Sequence, residues 1–581
     1  MDVIRLDVVV LDKQRRPVSG LTARDFNVLD DGISQPVEAF AEVRLPDTTP
    51  VLSAQATRTA VSDVFSNVRS EDGRLVAIMM DHSVPAGGMT TVARRIARAA
   101  VASLGPNDLA AIVTSSPFRG DGKVQGFTSD RERLYRAIES PIMGVTPGPP
   151  NGPSGGSDSI PSISNSIACH CGVCQWDAIA RVADAMAQET RRQKMLLFVA
   201  RELKVQVASS NDVCAFDVKY ARERGMQALD RANVTVHVID PSGLESLAAT
   251  ASGMSRTDAA VNLARQGDLA VLPDYTGGRA IIGVNEPEKA IPAIFEETSS
   301  YYLLGFVPKR GAQSARRSIR VTVKNGRNFI VRTRTGYYPP SALASKPVSL
   351  DRLEAQVTSL LPPMGLPLTM SLTPTILSGG RTGIVLQLGM DLRNGVAMPQ
   401  SQTLGVLVAV LDRAGRLLGS VRETVRAQPN ESDGQLEWVS HFPQKPGEYE
   451  VRVGVDWGGR LGGVYGYVDI PDPPKSVETL VGARLAIQGV PTLRRTFAID
   501  ESVQVLFDLF QKEAPRPAVV EMIVVEDGGH EVFRAVAPPS RTIPITIDVP
   551  VSRLREGRYV LRLSLAEGDD RQALEVPFSV R

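Results

Sequence analysis

The chain has 581 residues, of which 43% are hydrophobic and 22% charged, with a formal net charge of +1 at pH 7. This length exceeds what one hydrophobic core supports, so several domains are expected. The balanced charge disfavours nucleic acid as a partner, because phosphate binding calls for a basic excess. No apolar run reaches the roughly 20 residues of a membrane-spanning helix, so no transmembrane segment is predicted.

The sequence of the N-terminal region predicts β-strands. The first ten residues lack the features of a secretory signal and look like a strand, so the protein either stays inside the cell or begins downstream of a leader. Short strand patterns over residues 1–46 predict half of a small β-sandwich, which residues 312–340 are expected to complete. Within the second segment, a hairpin is predicted across Asn325-Gly326-Arg327. Residues 47–71, rich in Thr, Ser and Pro, are predicted to be a linker.

Residues 72–310 have a different hydrophobic pattern, in which continuous apolar runs alternate with segments of helical periodicity. Strand patterns occur at 75–80, 109–113, 195–199, 234–239, 279–282 and 301–307, and helical patterns at 92–104, 130–139, 176–190, 215–232, 257–273 and 287–299. This alternation predicts a doubly wound, Rossmann-type parallel sheet, interrupted by a mobile Pro/Gly/Ser-rich loop at 144–168. Ligands bind such sheets at the carboxyl ends of the strands, which directs attention to Asp81, the residues after Val199, and Asp240.

The C-terminal region repeats itself. Residues 446–453 are similar in sequence to residues 556–563, and residues 410–415 are similar to residues 525–529. Short strands between Gly, Pro and Asp turns predict two β-sandwich domains, at 350–472 and 475–581, with almost no helix. In each, the Tyr of a Gly-x-Tyr-x-x-Arg element, Tyr449 or Tyr559, is expected to fix the preceding corner through its hydroxyl.

Several stretches in the first 340 residues resemble the von Willebrand factor A-related bacterial protein family, of the type common in acidobacteria. They are Val8-Val9-Val10-Leu11-Asp12, Gly20 to Phe26, the strand ending at Asp81, Phe127 to Arg131, Ala232 to Pro241, Thr276-Gly277-Gly278, Ser299 to Gly305 and Gly336-Tyr337-Tyr338. The resemblance implies an A-type α/β domain that binds a protein or other macromolecule. It also implies an exported protein, periplasmic or secreted.

The resemblance further implies a metal-ion-dependent adhesion site, in which an Asp-x-Ser-x-Ser loop, a Thr and a second Asp hold Mg²⁺. Asp81 and Ser83 match the loop, with His82 between them, but Pro85 replaces the second Ser. At the Thr position the chain has Cys171-Gly172-Val173-Cys174, and at the second Asp only Glu202 could substitute. The expectation is a degraded Mg²⁺ site, with the alternative that Asp81 merely accepts backbone hydrogen bonds. Asp240 is a further candidate binding residue at this edge.

The four cysteines form a second candidate site: Cys169, Cys171, Cys174 and Cys214. They could form two disulfides in an exported protein, bind Zn²⁺, or remain free or redox-active thiols. The Cys-x-Cys spacing is unlike common zinc motifs. The sequence therefore leaves three alternatives open: disulfides, a Zn²⁺ site, and free or redox-active thiols.

The histidines provide no catalytic pattern. No pair among the five has a triad or metal spacing, and His237 lies inside a predicted buried strand, where a structural role is expected. Ser154 matches Gly-x-Ser-x-Gly, but only within the predicted loop. The sequence thus favours a non-catalytic binding or scaffolding protein. The alternatives are a zinc- or disulfide-dependent redox activity at the Cys169–Cys174 cluster and a purely structural envelope component.

Overall fold

The structure is a computed structural model, and most of the chain is described. The described residues are 3–45, 63–68, 73–115, 124–139, 172–189, 192–205, 215–243, 256–308, 316–324, 328–338, 351–377, 380–391, 403–413, 415–426, 435–472, 479–510, 519–526, 529–537, 544–565 and 573–581.

The chain is a multidomain, mixed α/β protein in which strands predominate, and it divides into two compact units. Unit 1 comprises Met1–Thr49 and Ser70–Val348, and unit 2 comprises Pro50–Arg69 and Ser349–Arg581. Across the described residues, no helix is long and apolar enough to cross a membrane.

The described helices of unit 1 are α1 Gly88–Ala102, α2 Arg131–Glu139, α3 Val173–Ala187, α4 Ala215–Ala232, α5 Arg256–Thr276 and α6 Ile291–Glu297. Its strands are β1 Ile4–Leu11, β2 Phe26–Asp30, β3 Ile33–Gln35, β4 Ala39–Arg44, β6 Arg74–Met80, β7 Leu109–Thr114, β8 Val124–Thr128, β9 Gln193–Val199, β10 Val234–Ile239, β11 Ala280–Ile281, β12 Ser300–Phe306, β13 Arg317–Val323, β14 Ile330–Arg332 and β15 Gly336–Tyr337.

A six-stranded sheet forms the centre of unit 1, in the order β11-β10-β9-β6-β7-β8. Its ladders are parallel except that of β8, an edge strand antiparallel to β7. Every residue of β6 and β9 is buried, as the continuous apolar runs indicated. Val76 and Ile78 pack with α1, α2 and α6 on one face, while α5 packs against β10 and α3 against α4.

A small β-sandwich accompanies this sheet. Its two sheets, β14-β1-β12-β4 and β15-β13-β2-β3, enclose a core that includes Leu6, Val28 and Tyr302. Strand β4 precedes the α/β segment and β12 follows it, and the two are antiparallel neighbours, with Arg44 opposite Ser300. The α/β segment is therefore inserted between two adjacent strands of the sandwich.

Two strand predictions in this region are wrong. Residues 301–307 were expected to join the parallel sheet, yet β12 is antiparallel to β1 and β4 in the sandwich. The strand is apolar throughout because it is buried on both sides: Tyr302 faces the sandwich core, and Tyr301 packs with Val9 and Leu11. The hairpin predicted across Asn325-Gly326-Arg327 is also wrong, because β13 pairs with β2 and β15 whereas β14 pairs with β1.

Unit 2 contains one α-helix in its described residues, α7 Arg352–Thr358, which the sequence did not predict. Its strands are β5 Val64–Ser66, β16 Leu368–Leu377, β17 Arg381–Asp391, β18 Thr403–Asp412, β19 Leu417–Arg426, β20 Gln435–Pro443, β21 Gly447–Trp457, β22 Arg460–Ile470, β23 Thr479–Ile487, β24 Val490–Pro491, β25 Thr496–Phe497, β26 Val503–Phe510, β27 Val520–Glu526, β28 Glu531–Val536, β29 Ile545–Val549, β30 Gly557–Leu565 and β31 Ala573–Val580.

These strands form two sandwiches. Sheets β20-β17-β16-β5 and β19-β18-β21-β22 enclose a core around Trp457, and sheets β24-β23-β26-β29 and β25-β31-β30-β27-β28 enclose one around Phe507. The Tyr559 hydroxyl donates to the carbonyl of Arg555 at 2.9 Å, as expected of a corner tyrosine. The Tyr449 hydroxyl makes a longer contact of 3.5 Å with the carbonyl of Pro446.

Strand β5 lies within the segment predicted to be a linker. It pairs antiparallel with β16, and Phe65 packs against the first sandwich core. The Asn67 side chain, fully buried, donates to the carbonyls of Pro363 and Leu366 and accepts from the backbone N–H of Leu368. These contacts make residues 63–68 a structural part of unit 2.

Candidate functional site at the carboxyl edge of the sheet

The strand order of the central sheet reverses between β6 and β9. The chain proceeds from β6 outward to β7 and β8 on one side, then from β9 to β10 and β11 on the other. Loops that leave two such strands diverge and open a crevice at their carboxyl ends. Asp81, directly after β6, donates its backbone N–H to the carbonyl of Val199 at the end of β9. The predicted residue therefore lies at the point of reversal.

The Asp81 carboxylate is fully buried and accepts hydrogen bonds on both oxygens. Its Oδ1 accepts from the Ser115 hydroxyl at 2.5 Å, and its Oδ2 accepts from the Gln175 amide at 2.6 Å and the Ser83 backbone N–H at 3.0 Å. The Nδ1 atom of His82 lies 3.3 Å from Oδ1. Four residues from three separate segments thus converge on one carboxylate.

The surroundings keep Asp81 ionised. Burial disfavours the charged form, but the hydrogen bond and charge of His82, with the bonds from Ser115 and Ser83, outweigh it and lower the pKa of Asp81 to about 2. For His82, burial lowers the pKa, and the hydrogen bond and charge of Asp81 outweigh that effect, so the pKa is raised. The buried carboxylate and the adjacent histidine therefore each favour the charged form of the other.

Ser83 and Gln175 connect Asp81 to the loop that follows β9. The Ser83 hydroxyl accepts the backbone N–H groups of Arg201 at 3.1 Å and Glu202 at 3.4 Å. The Gln175 amide nitrogen, besides its bond to Asp81, donates to the carbonyl of Glu202 at 3.0 Å. Glu202 thus enters the network through its backbone, and it is exposed.

Asp240, at the end of β10, belongs to a second cluster along the same edge. Its Oδ1 accepts from the backbone N–H and the hydroxyl of Ser242. The Arg265 guanidinium on α5 lies 3.6 Å from Oδ2 and also donates to the carbonyl of Arg201. Among the described residues, the Asp240 carboxylate thus has Ser242 and Arg265 as its partners, whereas Asp81 has a different set.

Asp81, His82 and Ser83 lie together at the edge, and two side chains that the sequence did not predict, Ser115 and Gln175, contact Asp81. Ser115 follows β7, so its place at the carboxyl edge could have been inferred from the strand pattern. Gln175 lies near the start of α3, 94 residues from Asp81, and no local signal marks it.

The donor set does not fit the Mg²⁺ site that the family resemblance implies. A hard cation needs several free oxygen ligands, whereas both Asp81 oxygens already accept hydrogen bonds and Pro85 supplies no hydroxyl. Within the described ranges, no three His, Cys, Asp or Glu side chains are grouped so that they could hold a metal.

The cysteine cluster is described only at Cys174, which is disulfide-bonded. Cys169, Cys171 and Cys214 lie outside the described residues, as does the loop predicted at 144–168. The pairing and the zinc alternative stay predictions.

His237 lies within β10 and is fully buried. Its Nδ1 accepts the backbone N–H of Arg279 at 3.1 Å. Burial, reinforced by the charges of Arg332 and Arg279, lowers the pKa of His237 to about 3. It is a neutral structural residue, in keeping with the role expected from the sequence.

Two aromatic side chains lie exposed near this edge. Phe216 and Tyr220, in the first two turns of α4, are 78% and 63% exposed. They are four residues apart and therefore share one face of the helix. Arg222, two residues later, donates to the carbonyl of Val205 at 2.9 Å, which fixes the start of α4 beside the loop that follows β9.

No protein-family model matches the chain, and no curated protein does. Several solved structures resemble part of it. Latent PorU from Porphyromonas gingivalis matches 48% of this chain with 13% identity and a TM-score of 0.20, and the match spans 25% of PorU. A β-glucuronidase from Bifidobacterium dentium matches 37% of this chain and 44% of its own, with 11% identity and a TM-score of 0.16. A tandem repeat of a large adhesion protein matches 48% of this chain and 60% of its own, with 11% identity and a TM-score of 0.13. Similarities at this level carry no functional argument.

Proposed function

We propose that the protein is a non-catalytic binding protein whose α/β segment, of the von Willebrand factor A type, contacts a protein at the carboxyl edge of its sheet. The exposed aromatic pair beside this edge carries the proposal. Phe216 and Tyr220 are the aromatic residues among the exposed large hydrophobic side chains of the described part of the chain. Aromatic anchors of this kind are enriched where proteins bind one another.

The network around Asp81 supports the same proposal. It joins the ends of β6, β7 and β9 to the start of α3, and this order gives the edge a fixed shape. A surface that is rigid before binding loses less conformational entropy on association. In this proposal the sandwiches act as spacers, and the family resemblance favours a periplasmic or secreted location.

Affinity capture from the native cell envelope tests the function. Wild type is compared with Phe216→Ser/Tyr220→Ser, and with Val490→Ser as a control at a 68% exposed apolar residue of unit 2. We expect the double variant to lose a partner that wild type and the control both retain. Equal capture by all three proteins would refute binding at this edge.

A second candidate, a redox function, rests on Cys174, which is disulfide-bonded and immediately precedes Gln175. Opening this disulfide would release the start of α3 and thereby disturb the Asp81 network. Partner capture with and without reductant separates the two candidates: a loss on reduction that Cys174→Ser reproduces favours redox control, and unchanged capture refutes it.

A further inference from the structure

The hydrogen-bond donors around Asp81 point to a site that works without a cation. Gln175 is 2% exposed, and its Nε2 atom lies 2.6 Å from Oδ2 of Asp81 and 3.0 Å from the carbonyl oxygen of Glu202. Both neighbours are acceptors, so the nitrogen, and not the oxygen, of the amide must face them. Each of its two hydrogens therefore has a partner.

The same two oxygens are the kind of ligands that a hard divalent cation requires. The amide nitrogen of Gln175 lies between a carboxylate oxygen and a carbonyl oxygen, as a bound cation would. We propose that Gln175 replaces a divalent cation in this site and holds the carboxyl edge in its binding-competent shape. Gln175 is thus a positioning residue.

This inference rests on the proposed binding function and adds a property to it, independence from divalent cations. A partner would meet an edge whose buried, ionised carboxylate already has hydrogen-bond donors from the protein. It would not need to supply a carboxylate to complete a coordination shell. The partner should therefore bind equally well in chelator and in Mg²⁺.

The substitution Gln175→Glu provides the test, because it exchanges the two amide donors for a second carboxylate. Two adjacent buried carboxylates repel each other, so we expect the Tm of the full chain in EDTA to fall by about 5 °C. Mg²⁺ or Mn²⁺ at millimolar concentration should restore it, because Asp81, Glu at 175 and the Glu202 carbonyl then offer oxygen ligands. Gln188→Glu, at the exposed end of α3, is the matched control and should show no cation response.

Isothermal titration of Mn²⁺ and Mg²⁺ into the full chain completes the design. We expect no saturable heat with wild type, saturable heat with Gln175→Glu, and its loss in Gln175→Glu/Asp81→Asn. Saturable binding to wild type that Asp81→Asn abolishes would overturn the inference, as would a folded Gln175→Glu protein that ignores both cations. If Gln175→Glu does not fold, the wild-type titration alone decides. Partner capture is measured separately, so a failure of the binding function is distinguishable from a failure of cation independence.

Discussion

Arg15 and Glu297 form a bidentate ion pair across 282 residues of chain, with Nε 2.6 Å from Oε1 and Nη2 3.0 Å from Oε2. Arg15 lies in the turn after β1 of the sandwich, and Glu297 ends α6 of the inserted segment. Arg279 also donates to Glu297, at 3.0 Å, and Arg332 lies 3.9 Å away. The buried Glu297 carboxylate thus lies within ion-pair distance of three guanidinium groups, at the place where the inserted α/β segment contacts the sandwich.

Loss of the Glu297 carboxylate should destabilise unit 1. Glu297→Gln removes the carboxylate that these three arginines share, and because the arginines are partly exposed we expect a cost of about 2 kcal/mol, less than for a fully buried pair. We expect a fall of this size in the free energy of unfolding, measured by urea titration. Arg16→Met, which breaks an exposed pair with Asp12 in the same turn, is the control and should leave stability unchanged. A Glu297→Gln protein as stable as wild type would show that the cluster is not structural.

Buried His237 should make unit 1 less stable in acid. Its pKa is about 3 in the folded chain and about 6.5 unfolded, so between these values only the unfolded chain takes up the proton. Stability therefore falls as the pH falls, by about 2 kcal/mol between pH 7 and pH 5. His237→Asn, which retains an acceptor for Arg279, should remove this part of the pH dependence. Urea unfolding of both proteins at pH 5 and pH 7 measures the difference, with His530→Asn, at an exposed turn, as the control.

The repeated hairpins predict equal effects at two glycines. Gly415 and Gly529 follow β18 and β27, with φ of 77° and 84°, and each donates its N–H to the carbonyl three residues earlier. A Cβ at either position meets no atom within 4 Å, so Ala is opposed only by the backbone conformation. We expect each Gly→Ala change to cost about 1 kcal/mol in chemical denaturation.

Gly419 in β19 is the matched control, because its surroundings are equally open but its φ is not positive. Gly419→Ala should be neutral or slightly stabilising. If all three variants lost the same stability, the left-handed conformation would not be the cause.

Asn67 should be among the most sensitive residues of unit 2. Asn67→Ala leaves the carbonyl of Leu366 and the N–H of Leu368 without this buried partner, at a cost on the order of 3 kcal/mol. Thermal unfolding of the full chain measures the effect. Ser66→Ala, at an exposed neighbour in β5, should have a much smaller effect.

A fragment of residues 351–581 should likewise be stabilised by a synthetic peptide of residues 63–68.

The parallel strands and the two C-terminal sandwiches could be predicted because their signals are local. The uninterrupted apolar run of β6 indicates burial on both faces, and Gly-rich turns divide the C-terminal strands. A continuous apolar run also led to the wrong prediction that β12 joins the parallel sheet. An antiparallel strand that is buried between two hydrophobic clusters is equally apolar. Three-residue β5 carries no periodicity of its own, and its partner β16 lies about 300 residues further along the chain.

The candidate site shows the same limit. Asp81 could be identified because it ends a recognisable strand, but Gln175 acts through a hydrogen bond to a residue 94 positions away. A glutamine in the first turn of a helix gives no hint of that role. The role of a side chain that depends on a partner far away in the sequence can be recognised only in the three-dimensional structure.

The placement of β5 gives the chain an unusual connectivity. The chain leaves unit 1 after Thr49, contributes Pro50–Arg69 to unit 2, returns to unit 1 at Ser70 and leaves again after Val348. Three covalent links therefore join the units, where consecutive domains have one. A single proteolytic cut near residue 345 would give two fragments, residues 1–345 and 346–581. We expect them to migrate together under native conditions, because β5 of the first fragment pairs with β16 of the second, and to separate on denaturation.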